Sequence, residues 1–300
     1  LIFDKFRIQI GKMNLNHYSS NKTEDTSDVQ TFATSRHLKQ NVVAKMPVER
    51  YASEYNFSHR YRGLALIFNH EEFHRNLNLQ RRNGTNIDCE NLKQTFTQLG
   101  FEVTTYKDFQ LHEINTEITK VSKLDHGDYD CIAVIILSHG ELGVIYAYDV
   151  EYKLETILTN FTADKCPTLA GKPKLFFIQA CQGNQFDQGT TLVQTDGSSS
   201  LFEISYRIPI HADFLIAYST IPGYFSWRNQ SIGSWFINCL CEELNFNATK
   251  YDILGLLTFV SQRVAYDFES NVPTNQIMHG RKQIPCITSM LTRLLRFNVK

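Results

Sequence analysis

Short apolar runs alternate with amphipathic stretches from residue 63 to residue 291, and this alternation sets the expected elements. Residues 63–68, 131–137, 174–179 and 213–218 are apolar runs too short for helices, so each is read as a buried strand. Residues 101–106 alternate apolar with polar positions and are read as a further strand, and 283–291 as the final one. Residues 87–99 place Leu92, Phe96 and Leu99 on one helical face, and Gly100 supplies the stop. Residues 110–124 are amphipathic through Leu111, Ile114, Ile118 and Val121, and 231–244 and 253–268 also read as helices. The folded part of the chain is expected to start near Arg62. Apolar strands alternating with helices predict an α/β fold, a mostly parallel sheet covered by helices on both faces. Residues 183–207 break the order: glycine and serine rich and poor in apolar side chains, they read as a long loop of the kind that is usually functional.

Composition narrows the classes. Thirty Lys plus Arg against 31 Asp plus Glu give a formal charge of −1, which argues against coating a polyanion, so no nucleic acid partner is expected. The longest apolar run, 131–137, is far short of the ~20 residues of a membrane helix, so no membrane association is expected. The seven cysteines are odd in number and mostly in apolar surroundings, which reads as reduced, intracellular usage with one thiol left as a candidate nucleophile. Residues 13–45 are polar without an apolar period and read as a flexible leader. The chain opens Leu1-Ile2-Phe3 and its first methionine is Met13, so residues 1–12 are expected to be upstream translated sequence, or the chain to be truncated there. They lack the apolar block of a secretory signal.

Candidate chemistry sits just past two of the strands. Active sites of open parallel sheets lie at the carboxyl ends of the strands. The run 131–137 leads into Ser138-His139-Gly140, and 174–179 ends on Gln179 and leads into Ala180-Cys181-Gln182-Gly183. A thiol beside an imidazole is an activated nucleophile, and Gly140 lets backbone approach a substrate closely. Either residue alone is more often packing or a solvated loop. The pair at one edge of one sheet is the stronger signal. Cys239-Leu240-Cys241 falls on a helix without partner ligands, so no zinc site is expected, and no cofactor is implied.

The pentapeptide 179–183 also matches the signature of the caspase nucleophile, and the chain resembles the caspase family well beyond it. Residues 62–69, the Arg82-Asn83-Gly84-Thr85 loop, Ser138-His139-Gly140-Glu141, Ala212-Asp213-Phe214-Leu215, Ser226-Trp227-Arg228-Asn229, Gly233-Ser234-Trp235-Phe236 and Lys282-Gln283-Ile284-Pro285-Cys286 follow the family's order. The resemblance runs from about residue 45 to residue 300 and looks most like the insect executioner members. It implies a three-layer sandwich on a six-stranded sheet and a cytoplasmic cysteine endopeptidase that cuts proteins after Asp in apoptosis. It assigns His139, Cys181 and Gly140 to catalysis, and Arg82, Gln179 and Arg228 to the substrate carboxylate. Phe225 and Trp227 wall the next pocket, while Trp235 and Asn229 shape the one for the residue fourth from the cut. The carbonyl that orients His139 is expected near Gln80.

The family pattern further implies a zymogen. Cleavage after Asp196 would divide a large subunit, 29–196, from a small one, 197–300, and cleavage after Asp28 would remove a 1–28 leader. An initiator caspase, inhibitor-of-apoptosis proteins and a homodimer of large-plus-small units are the partners implied. The loop 271–275 and Met278 depart from the mammalian executioner pattern, which leaves the outer subsites open. Two other readings compete. A catalytically silent homologue would lack the Cys, the His or a pocket Arg, and all are present. A relative cutting after basic residues would need an acidic pocket, against which Arg82 and Arg228 argue.

Overall fold

The computed structural model describes residues 44, 46–188 and 209–300. Asp28, Asp196, the 1–28 leader, the boundary between 29–196 and 197–300 and most of the 183–207 stretch lie outside the described residues.

The elements are, in order, β1 (Tyr61–Asn69), α1 (Thr85–Gln98), β2 (Glu102–Lys107), α2 (Leu111–Ser122) and β3 (Tyr129–Leu137). Then come β4 (Gly140–Glu141), β5 (Val144–Tyr146), β6 (Glu151–Tyr152), α3 (Glu155–Leu158), β7 (Lys174–Gln179) and β8 (Phe214–Tyr218). Last are β9 (Arg228–Asn229), β10 (Gly233–Ser234), α4 (Trp235–Asn247), α5 (Ile253–Asp267) and β11 (Cys286–Ser289). Six strands form the central sheet in the order β11-β8-β7-β3-β1-β2. All pairs are parallel except β11 against β8.

The two-residue period of a strand divides the sheet into two cores. On β3, Ala133, Ile135 and Leu137 join Leu92 and Phe96 of α1, Ile237 and Leu240 of α4, and Leu256 and Val260 of α5. Ile132, Val134 and Ile136 face the other way, onto Ile114 and Ile118 of α2 and onto Phe161. Both faces of the strand are therefore dry, which is why it reads in sequence as one continuous apolar run. Helix ends are satisfied locally. The Glu113 carboxylate accepts the Gln110 N–H at 2.8 Å before α2, and Asp252 accepts the Leu254 and Gly255 N–H groups at 3.1 and 3.4 Å before α5.

The expected strands and helices are present, with four differences. The expected helix 231–244 begins only at Trp235, because Ser231 and Ile232 cap the Asn229 side chain in the turn of a β9–β10 hairpin. The final strand is shorter than 283–291, as Gln283 turns inward to bind backbone groups. Pieces of two or three residues are too short to show a period, so the sequence carries no sign of the β4-β5-β6 sheet. Ordered packing also begins before Arg62: Tyr55 and Phe57 are core residues, held against Leu295 and Phe297 at the far end of the chain.

Arg62 closes that end. Its fully buried guanidinium pairs with Asp130 at 3.1 Å, donates to the Leu99 carbonyl at 2.9 Å, and lies 5.0 and 5.5 Å from the rings of Phe57 and Phe297. Phe177, at the centre of β7 and 5.9 Å from the ring of Phe96, anchors the strand that leads to Cys181. Phe177→Ala is expected to lower stability by about 3–5 kcal/mol in urea unfolding, without changing the m-value.

Candidate active site

Three parallel strands end level. Asn69 of β1 is in register with Leu137 of β3, and Leu137 with Gln179 of β7. His139 and Cys181 each stand two residues beyond that line, on neighbouring strands separated by about 4.8 Å. The Ser138 N–H donates to the Gln179 carbonyl at 3.1 Å, continuing the ladder past the strand ends. A Cβ on Gly140 would lie 2.6 Å from the Cys181 carbonyl oxygen, so only glycine allows the two backbones to pack there. The small sheet supports this corner: the Tyr146 N–H donates to the His139 carbonyl at 3.0 Å, and Ser138 Oγ donates to the Tyr146 carbonyl at 2.5 Å.

The His139 Nε2–H donates to the Gln80 carbonyl at 2.7 Å, the residue expected from sequence. That bond fixes the tautomer and leaves Nδ1 as the unprotonated nitrogen. Phe73 backs the imidazole, with ring centroids 5.0 Å apart. The loop carrying Gln80 is tied by Glu71, whose carboxylate binds Arg81 at 2.9 Å, Lys107 at 2.7 Å and Asn86 at 2.9 Å. Its carbonyl accepts the Arg82 N–H at 2.9 Å. The Lys107 bond above all, aided by Asn86 and Arg81, holds the Glu71 carboxyl down at about 2.

Arg82, Gln179 and Arg228 gather beside the thiol and are read as lining a polar pocket: both arginine charges act on Cys181, and Gln179 and Cys181 each contact Ser226. Arg82 is only 1% exposed, yet its Nε and Nη2 have no partner, while Nη1 donates to the His70 carbonyl and to Thr85 Oγ1. Arg228 donates through Nε to the Asn83 carbonyl at 2.8 Å. Gln179 Nε2 donates to Ser226 Oγ at 2.7 Å, and its buried Oε1 is unpartnered. Buried guanidinium donors without acceptors are costly, so this is a site whose complement is an anion. Burial, and then the neighbouring Arg228 charge, lower the Arg82 pKa to about 9.

The same charges act on His139 and Cys181. Burial first, then Arg82 and Arg228, depress the His139 pKa from 6.5 to about 4, against the opposing Gln80 bond. Burial raises the Cys181 thiol, opposed by the Ser226 N–H at 3.4 Å and by the two arginines. Both groups are therefore neutral at pH 7. Desolvation of the thiol outweighs the pull of the Ser226 N–H and of the two guanidiniums.

An aromatic ladder adjoins the pocket. Trp227 and Trp235 stack at 5.9 Å, Trp235 and Phe268 at 5.3 Å, and Phe225 lies 6.3 Å from Trp227. Phe186 extends the ladder, stacked on Phe225 at 4.6 Å and 6.0 Å from Trp227. Sequence reasoning missed Phe186, although a lone aromatic in the polar run 183–188 is a visible signal. It also missed Gln283, whose Oε1 accepts the Trp227 N–H at 2.6 Å, and Ser226. Asn229 keeps its Oδ1 in the hairpin turn, accepting from Ser231 and Ile232, so its Nδ2 is the atom left for a ligand. The 271–275 loop and Met278 close on themselves through Ser270, whose Oγ donates to the Met278 carbonyl at 2.6 Å.

None of the seven cysteines is in a disulfide. Among the described residues no helix is long and apolar enough to cross a membrane, and no group of three or more His, Cys, Asp or Glu is placed to hold a metal ion.

Comparison with known proteins gives a consistent result. A family model described as the caspase domain matches residues 62–296. Caspase-1 of Drosophila melanogaster is 61% identical over 262 residues, covering 86% of this chain and 80% of that protein. Caspase-3 of Bos taurus is 39% identical over 279 residues, covering 92% and 99%. The crystal structure of Caspase-1 from Spodoptera frugiperda superposes with a TM-score of 0.81 at 56% identity, covering 86% of this chain and 98% of that one.

Alkylation of Cys181 by iodoacetamide, which carries no charge, tests the neutral pair. Its rate is expected to keep rising through pH 7 and beyond pH 9, the ordinary thiol value. A plateau from about pH 5 to pH 8 would instead mark a preformed thiolate–imidazolium pair.

Proposed function

The chain belongs to the caspase family, and from that premise we propose which of its residues carry out cleavage after Asp. The protein is a cysteine-type endopeptidase of the executioner kind, specific for Asp and acting in apoptosis. The observation that carries the residue assignment is the Arg82 guanidinium, buried with two N–H groups unmet at the edge of the pocket beside Cys181.

A substrate Asp carboxylate supplies the missing acceptors. Arg82 and Arg228 bind it with charge-assisted hydrogen bonds, which a neutral side chain cannot replace without leaving buried charge unpaired. Ser226 Oγ can donate as well as accept, so the incoming carboxylate selects the Gln179 rotamer that turns Nε2 toward it. Phe225 and Trp227 wall the neighbouring pocket. Trp235 and the Asn229 Nδ2 donor bound the outer one, which suits an acidic side chain.

Chemistry begins from the neutral pair. Cys181 Sγ attacks the peptide carbonyl carbon while its proton passes to His139 Nδ1. The N–H groups of Gly140 and Cys181 receive the oxyanion. As the C–N bond breaks, the imidazolium returns its proton to the departing amine nitrogen, leaving a thioester. His139 then takes a proton from water, whose oxygen attacks the thioester and displaces the thiolate, and the imidazolium returns that proton to sulfur to restore the neutral pair. The Gln80 carbonyl holds the ring in one tautomer throughout.

The remaining assignments rest on family kinship. Cleavage after Asp196 separates 29–196 from 197–300, and cleavage after Asp28 releases the leader. An initiator caspase makes the first cut, and inhibitor-of-apoptosis proteins restrain the product in the cytoplasm. The edge strand β11, paired on one side only by β8 among the described residues, supports a twofold dimer through its other edge.

Tetrapeptide substrates ending in Asp, Asn or Lys test the assignment. The Asp substrate is expected to be preferred over Asn by at least about a thousandfold in kcat/KM. Cys181→Ala should abolish cleavage, and Arg82→Lys should raise KM about tenfold to hundredfold. Equal cleavage of the Asp and Asn substrates would overturn the pocket assignment. Asp196→Ala protein that is still cut at that position would overturn the processing assignment.

A further inference from the structure

Arg82 and Arg228 reach one pocket from positions 146 residues apart, and the first turn of α1 is what spans them. On one side, Thr85, the first residue of α1, holds Arg82: its Oγ1 accepts Arg82 Nη1 at 2.7 Å, and its N–H donates to the Arg82 carbonyl at 3.2 Å. Three residues later, on the same helical face, Asp88 holds the hairpin. Its Oδ1 accepts the Ser234 N–H at 2.7 Å, and its Oδ2 accepts the Ser234 hydroxyl at 2.6 Å. Ser234 is the register partner of Arg228 across β9–β10. The approach leaves no slack: a Cβ on Gly233 would overlap Asp88 Oδ1.

Asp88 is 1% exposed, so its carboxylate is held in a costly place. A carboxylate there is more than a helix cap, because it caps nothing of its own helix; both oxygens are spent on the hairpin. It also stands in the field of both guanidiniums.

We propose that Asp88 is a positioning residue for substrate recognition, fixing Arg228 at the distance from Arg82 at which both guanidiniums meet one carboxylate. This rests on the reading of that pocket as the Asp-binding site. The proposal also accounts for how the grip persists once the chain between β7 and β8 is cut, since Asp88 lies before the cut and Ser234 after it. No covalent link between the two arginines is then required.

The test separates recognition from folding and from chemistry. In the processed protein, Asp88→Ala removes both acceptors, and Asp88→Asn keeps the shape and one acceptor while its amide can donate to Ser234 Oγ. Active-site titration counts the folded, competent enzyme. Iodoacetamide reports the thiol without using the carboxylate pocket. Asp88→Ala is expected to raise KM for the Asp tetrapeptide about tenfold to hundredfold, with kcat per titrated site within about threefold and the alkylation rate unchanged. Asp88→Asn should restore KM to within about fivefold of the parent. If Asp88→Ala does not fold, Ser234→Ala provides the same readout and should raise KM severalfold in the same sense. An unchanged KM per titrated site, with only the number of sites reduced, would overturn the proposal. So would a failure of Asp88→Asn to recover KM. A parent enzyme that does not prefer Asp over Asn would instead overturn the pocket reading itself, a separate result from either.

Discussion

The register of β1, β3 and β7 is the constraint on which the rest of the molecule depends. Asn69, Leu137 and Gln179 are level because each strand buries both faces, and a slip of one residue would exchange every side chain between the two cores. The residues immediately beyond that line inherit its precision. His139 and Cys181 stand two residues past the ends of neighbouring strands because both strands stop at the same height. The loop after β1 delivers Gln80 to the imidazole and Arg82 to the pocket from the same edge.

On this rigid edge the protein concentrates positive charge and excludes water. Burial above all, aided by the two nearby guanidiniums, keeps the imidazole deprotonated, so a base is available at neutral pH. Arg82 Nε and Nη2 and Gln179 Oε1 are unmet, and in the proposed function that unmet hydrogen bonding is the origin of selectivity: the right substrate completes it, and a neutral analogue leaves it open. In the proposed mechanism recognition and chemistry share one field, since Arg82 and Arg228 also act, after burial, on the protonation of His139 and Cys181. The hairpin that supplies Arg228 and the helix that supports Arg82 are joined by side-chain bonds rather than by strand pairing. This suits a site assembled from two parts of the chain.

Much of the site was legible before the structure. The order of strands and helices followed from period and run length. Cys181 and His139 stood out because each follows an apolar strand, and the family resemblance put the orienting carbonyl near Gln80, where the structure has it. What escaped notice was made of pieces too short to carry a period, such as β4, β5, β9 and β10, or of polar residues whose role lies in one distant partner. Gln283, Ser226 and Asp88 belong to the second group. Each looks like an ordinary polar residue until the fold buries it against a backbone group far away in sequence. Phe186 is intermediate: its isolation in a polar run was visible, but its stacking partner was not.

The amino-acid sequence by itself determined the α/β class, the place of the candidate nucleophile Cys181 and candidate base His139 just past strand ends, and the kinship that predicts cleavage after Asp. Those properties follow from local periodicity and from residue types at short spacing. Only the tertiary structure decided that the last strand runs antiparallel and that helix 231–244 yields its first turn to a hairpin. Only it decided that burial keeps the thiol and imidazole neutral. Desolvation, long-range pairing and the satisfaction of buried polar groups depend on what surrounds a residue in space, and no window along the chain contains that information.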